Sequence, residues 1–243
     1  KVSDTAGSVT YSIAFEDTAG NAGAAVTSGT GSVTYQGTLS SVSIASNNST
    51  TTLAKAGDII TLSFTASETI TNTVVTFLSG GSAITDTSVT YANTSGNTWT
   101  AAYTAKVSDT AGSVTYSIAF EDTNGNAGAA VTSGTGSVTY DGAAPTVTLT
   151  APSGNVTAAF TVTATFSQAV TGFTLDDINN TLINGTASTL VTSNAPVYII
   201  TVTPTLGTTV SVSIAASTVT DTAGNPNTVS NTLSIQASSP AFE

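Results

Sequence analysis

The chain has 243 residues and contains no cysteine, histidine, methionine or arginine; Lys1, Lys55 and Lys106 are its only basic side chains. Each absence removes a class of chemistry. Without cysteine there is no disulfide to staple a small core and no thiolate to hold a soft metal. Without histidine or cysteine, neither a Ser–His nor a Cys–His nucleophile can be assembled. Three lysines cannot neutralise a phosphate backbone, so nucleic acid is excluded as a partner, and an anionic lipid surface for the same reason. No apolar run approaches the ~20 residues that span a bilayer as a helix, so no membrane insertion is expected of this segment.

What is present is acidic and rich in small polar residues. Fourteen carboxylates against three lysines give a net charge of −11, although only 7% of residues are charged. Such a field draws cations, with a reach of roughly 8 Å at physiological salt. Roughly a fifth of the chain is Thr, which suits the solvent face of a strand. Gly and Asn supply turns. The mixture is that of secreted or surface-exposed β proteins more than of cytoplasmic enzymes.

The strongest internal signal is a repeat. Residues 1–38 return at 106–143 with changes only at Ala19/Asn124, Gln36/Asp141 and Thr38/Ala143. The offset of 105 residues is the size of a domain rather than of a solenoid turn. Lys1 aligns with Lys106, inside a repeat, so the reading expects a segment of a longer protein whose targeting and anchoring parts lie outside it.

Alternation runs throughout, with no helical period. Ile60, Leu62 and Phe64 face one way while Thr61, Ser63 and Thr65 face the other, and Val114, Tyr116, Ile118 and Phe120 repeat the pattern. Strands are predicted near 40–46, 58–66, 72–79, 83–91, 98–104, 112–121 and 136–140. A second set is predicted near 146–151, 158–167, 172–175, 188–192, 196–203, 208–216 and 231–236. Trp99 sits in an alternating strand and is predicted in the core. The expected class is all-β, as tandem β-sandwiches of which the first is only half present. The expected divisions are 1–37 (the trailing half of a domain), 38–141, 142–237 and a linker at 238–243.

Ala144-Pro145-Thr146-Val147, Val170 to Asp177 and Val219-Thr220-Asp221-Thr222-Ala223-Gly224-Asn225 resemble the bacterial and archaeal Ig-like repeats of large cell-surface proteins. Residues 39–140 resemble a sister type, with Ala54-Lys55-Ala56-Gly57-Asp58 leading into Leu62 to Glu68. The resemblance implies an immunoglobulin-like fold, an extracellular location at the cell surface, and copies of itself or neighbouring domains of the same chain as partners. It leaves function open among surface layers, adhesin stalks and accessory modules of secreted enzymes. A structural role in an envelope assembly is preferred, with the adhesin stalk as the main alternative.

Asp-Thr-x-Gly occurs at Asp4, Asp17, Asp109, Asp122 and Asp221. One reading is a turn in which the carboxylate accepts backbone N–H bonds and Gly takes positive φ. The other is calcium, which wants six to eight oxygens. Glu121, Asp122, Asn124, Asn126 and Asp141 are the candidate ligands, with the acidic pair Asp176 and Asp177; the resemblance would make such a site interdomain. The spacing lacks the mid-loop glycine and distal glutamate of an EF-hand. Neighbouring carboxylates on a strand face opposite ways, so Asp176 and Asp177 make a poor catalytic dyad, and no enzyme is predicted. Thr-x-Thr runs at 146–150, 161–165 and 201–205 are read as ordinary solvent-facing threonine. Sequons at Asn47, Asn48, Asn93, Asn155, Asn179 and Asn184 permit glycosylation without arguing for it.

Overall fold

A computed structural model describes residues 7–29, 34–35 and 37–239. Asp4 and the end of the expected linker lie outside the described residues. The chain divides into two compact units, 1–140 and 141–243. No described helix is long and apolar enough to cross a membrane.

The first unit opens with a two-stranded pair, β1 (Gly7–Ser8) and β2 (Thr34–Tyr35). Its sandwich is built from β3 (Leu39–Ser46), β4 (Leu53–Ala54), β5 (Ile59–Ala66), β6 (Ile70–Ser79), β7 (Ser82–Ala83), β8 (Thr90–Ser95), β9 (Thr98–Thr104), β10 (Gly112–Asp122) and β11 (Thr139–Tyr140). One sheet runs β3-β5-β9-β8 and the other β4-β11-β10-β6-β7. Lettered in chain order, these are ABED and A′GFCC′, an immunoglobulin-type arrangement. All pairs are antiparallel except β4 with β11, where Leu53 lies opposite Thr139 and Ala54 opposite Tyr140.

The alternation predicted from sequence is the physical basis of the core. Ile60, Leu62 and Phe64 of β5 and Val114, Tyr116, Ile118 and Phe120 of β10 are buried in one cluster with Val42, Ile44, Ala101 and Tyr103. Each large side chain so buried contributes roughly 1.5–3 kcal/mol. Trp99, predicted in the core, is partly buried and packs against this cluster.

The strand predicted over 83–91 is also broken. Residues 84–89 leave the sheet because Asp86 bridges two strands' worth of backbone, accepting from the N–H of Ser88 at 3.1 Å and of Thr104 at 2.8 Å. Thr85 bonds Asp109 through both its N–H and its hydroxyl.

The second unit contains β12 (Val147–Thr150), β13 (Phe160–Phe166), α1 (Leu175–Asn179), β14 (Gly185–Val191), β15 (Val197–Pro204), β16 (Thr209–Val212) and β17 (Leu233–Gln236). One sheet runs β12-β13-β15-β14, again the ABED order, and β16 pairs with β17. Phe166, Phe173 and Tyr198 meet edge to face, with ring centroids 5.0–5.6 Å apart.

Where a strand was predicted over 172–175, the chain instead enters α1. Asp177 accepts from the N–H of Thr174 at 2.8 Å and from its hydroxyl at 3.1 Å, which fixes the first turn. Ile178 is the buried residue of the helix. Asn179 clamps the helix to β14, accepting from the N–H of Ala187 and donating to its carbonyl.

Candidate functional site

The repeated segment is where sequence and structure diverge most usefully. Its two copies form the same hairpin. In the second, the N–H of Ile118 bonds the Val131 carbonyl at 2.9 Å and the N–H of Gly128 bonds the Phe120 carbonyl at 3.0 Å. In the first, the N–H of Ile13 bonds the Val26 carbonyl at 2.9 Å and that of Gly23 bonds Phe15 at 2.8 Å. Strand register matches too: Gly7 lies opposite Tyr35 as Gly112 lies opposite Tyr140.

Surroundings differ completely. Ile118 is 0% exposed and Phe120 3%, whereas Ile13 is 54% exposed and Phe15 53%. Val9 and Tyr11 are exposed where Val114 and Tyr116 are buried. The same residues that form a core face in one copy form a bare apolar stripe in the other.

At the hairpin tip the Asp-Thr-x-Gly turn closes on itself. Asp122 Oδ1 accepts from the N–H groups of Asn124 at 2.8 Å and Asn126 at 2.9 Å, and Oδ2 accepts from Asn126 Nδ2 at 2.8 Å. Asp17 does the same with Ala19 and Asn21. Asp221 does so with Ala223 and Asn225. The glycines at 20, 125 and 224 have φ between 83° and 87°, which only glycine adopts without strain. The Asn126 side-chain amide, then its N–H and that of Asn124, hold the Asp122 carboxyl below the usual carboxylate range, and the Asn21 amide acts likewise on Asp17.

Asp109 carries the same tetrapeptide in a different role. It accepts from the N–H of Lys106 and from Thr85, as Asp58 accepts from the N–H of Lys55 at 2.9 Å. Asp58 also takes the Lys55 ammonium at 2.7 Å and the Asn48 amide at 2.7 Å. Burial pushes the Asp58 carboxyl up, but these donors more than offset it and leave it depressed.

The candidate calcium ligands are spread over separate tasks. Glu121 accepts from Asn72 Nδ2 at 2.7 Å, on the opposite side of β10 from Asp122. Asn126 turns its NH2 toward Asp122, so the turn offers a filled carboxylate rather than a cage of free oxygens. Asp141, in the second unit, caps the N–H of Ala143. Asp177 caps α1, and Asp176 is exposed beside it. Among the described residues no three acidic side chains gather where they could hold one ion.

A network that motif reading missed lies in the second unit. Gln168 Nε2 donates to Asp221 Oδ2 at 2.7 Å and to the Ala143 carbonyl at 3.1 Å, and Asn225 Nδ2 donates to the Asp141 carbonyl at 2.8 Å. The third turn is thereby stapled to the strand-free segment that opens its unit. Residues 141–237, which this network binds together, match the bacterial Ig-like domain family.

The second unit has an immunoglobulin-like fold and is similar to that family over 141–237.

In this Ig-like unit Asp221 and Asn225 are buried and bonded to each other, the Asn225 amide donating to Asp221 at 3.0 Å. Solved structures similar to the chain include InvD of Yersinia pseudotuberculosis, with a TM-score of 0.38 and 19% identity over 84% of this chain and 59% of that one. Another is the ectodomain (Ig1–Ig3) of mouse nectin-like molecule 4, with a TM-score of 0.35 and 10% identity over 84% and 66%. The titin Ig tandem A164–A165 gives a TM-score of 0.28 and 11% identity over 85% and 99%. The chain thus spans less than two thirds of the first two. A search of curated proteins gives no match.

Proposed function

We propose that this chain is a non-catalytic structural segment of a cell-surface array, in which Ig-like units supply length and lateral surface to an envelope layer. One observation carries the reading: the aspartates at three Asp-Thr-x-Gly turns are engaged by donors of their own turns. Asp17 with Asn21, Asp122 with Asn126 and Asp221 with Asn225 satisfy one another and leave no convergent reactive pair. The similarity of 141–237 to the bacterial Ig-like domain family supports a surface-type module. The negative charge suits a cation-rich exterior.

Negative-stain imaging of native cell surfaces, with labelling by an antibody to this segment, tests the proposal. A periodic labelled sheet is expected. Loose labelled fibres would overturn the layer in favour of an adhesin stalk.

A further inference from the structure

The stripe Val9, Tyr11, Ile13 and Phe15 is half exposed, yet the chain itself displays what covers such a stripe. Its counterpart Val114, Tyr116, Ile118 and Phe120 lies in one core with Ile60, Leu62, Phe64 and Tyr103, all supplied by residues 39–105. The three differences between the copies fall at Ala19/Asn124, Gln36/Asp141 and Thr38/Ala143, none of them on the stripe. Whatever docks on one copy is chemically matched to the other.

We propose that the exposed stripe is the docking face for a half-sandwich of the same kind as residues 39–105, joined directly ahead of Lys1 as Ala105 is joined to Lys106. Two nearer occupants are disfavoured by geometry and tethering. The first is the chain's own 39–105 half. That half already holds the second copy. It also pairs in parallel with the segment it accepts: Ser43 lies opposite Thr135 and Ala54 opposite Tyr140. Docked in that register, Tyr35 would sit beside Ala54. Leu39, four residues after Tyr35, opens β3 in the other sheet; counted along the accepted segment from the Ala54 pairing to the Ser43 pairing and on to Leu39, it begins roughly 25–30 Å away at ~3.3 Å per residue. Four residues reach at most about 14 Å. Closure with its own following half is therefore out of reach.

The second is the 39–105 half of another molecule. There the resident segment 106–140 follows Ala105 without a linker. A free competitor would have to displace a partner held at a very high effective concentration. The remaining occupant is a half tethered on the N-terminal side, where the same absence of a linker works in favour of docking.

The test is the full chain with a copy of residues 39–105 fused ahead of Lys1, compared with the unextended chain by amide hydrogen exchange. The bonded amides of Ile13 and Val26 are expected to exchange at least about a hundredfold more slowly in the fusion, approaching Ile118 and Val131. A fusion whose added half carries Asp at the position copied from Leu62, which is fully buried in the original, is expected to show no such gain. Unchanged exchange at Ile13 and Val26 in the first fusion would overturn the proposal. So would equal protection in both fusions. Sedimentation of the unextended chain as a dimer at micromolar concentration, with Ile13 already protected, would overturn it by making a second copy the occupant.

Discussion

The Tyr140 hydroxyl donates to the Lys106 carbonyl at 2.6 Å, tying the last strand of the first unit to the loop from which the repeated segment starts. Tyr140 is itself buried, so its ring and its hydroxyl act together. Tyr140→Phe keeps the ring and strands the carbonyl. A loss of about 1–3 kcal/mol is expected, read as a lower urea midpoint at unchanged slope.

The two copies of the hairpin offer an internally controlled mutation. Ile118→Ala opens a cavity in a closed core and is expected to cost about 2–5 kcal/mol. Ile13→Ala removes the same atoms from an exposed stripe and is expected to change stability by no more than about 0.5 kcal/mol. Equal costs in denaturant titrations would show that the stripe is covered in the isolated chain.

Gly128 and Gly23 make a second pair. A Cβ at Gly128 would lie 2.1 Å from Phe120 Cζ, and one at Gly23 would lie 2.2 Å from Phe15 Cε2. Phe120 has nowhere to go, so Gly128→Ala is expected to cost about 1–3 kcal/mol by overpacking. Phe15 can swing into solvent. Gly23→Ala is expected to leave the thermal midpoint within about a degree of the parent, corresponding to a small fraction of 1 kcal/mol.

Acid should unfold the first unit through identifiable groups. Asp58, Asp86 and Asp122 are held below the ordinary aspartate value near 3.9 in the folded chain. The unfolded chain therefore binds more protons just below that value. The stabilisation is full above about pH 5 and is lost as pH falls through the depressed folded values. Asp122→Asn is expected to be less stable than the parent at pH 7 and to converge with it as pH falls through the depressed folded value. A constant gap across that range, measured by denaturant titration at each pH, would rule out the carboxylate as the source.

Calcium gives a separate measurement. Because the Asp122 oxygens are engaged by amide donors, EDTA is expected to leave the unfolding midpoint unchanged. A midpoint that rises with added calcium would mean an ion bound by the native state alone, as mass action requires. Its ligands would then have to lie outside the arrangement of this turn.

Much of the fold was legible because the core is built on a period of two. Ile60, Leu62 and Phe64 announce β5, and Val114 to Phe120 announce β10, since a strand with one buried face leaves no other pattern. The misses are local and polar. Asp86 ends a strand by accepting from Thr104, 18 residues away, a partner no window reveals. Helix α1 has five residues, too few to show a helical period, although Thr174 and Asp177 stand at capping spacing.

The candidate site was harder to read for a chemical reason. Asp-x-Asn-x-Asn provides oxygens for a cation and equally provides the amides that satisfy an aspartate without one. In the folded chain the Asn126 amide points its NH2 at Asp122, and that orientation is not written in the sequence. Gln168 meets Asp221 across 53 positions, so that bond became visible only with the chain folded.

The parallel pairing of β4 with β11 has a mechanical consequence. Tension applied at Leu53 and Tyr140 pulls the two strands past each other along their length, and the parallel bridge of Ser43 with Thr135 is loaded in the same sense from Leu39. Evenly spaced, slanted bonds between parallel strands then share the load and fail together, whereas a hairpin pulled at its open end unzips one bond at a time. A short ladder in this position, with bonds such as that from the Thr139 N–H to the Thr52 carbonyl, meets such a load in shear.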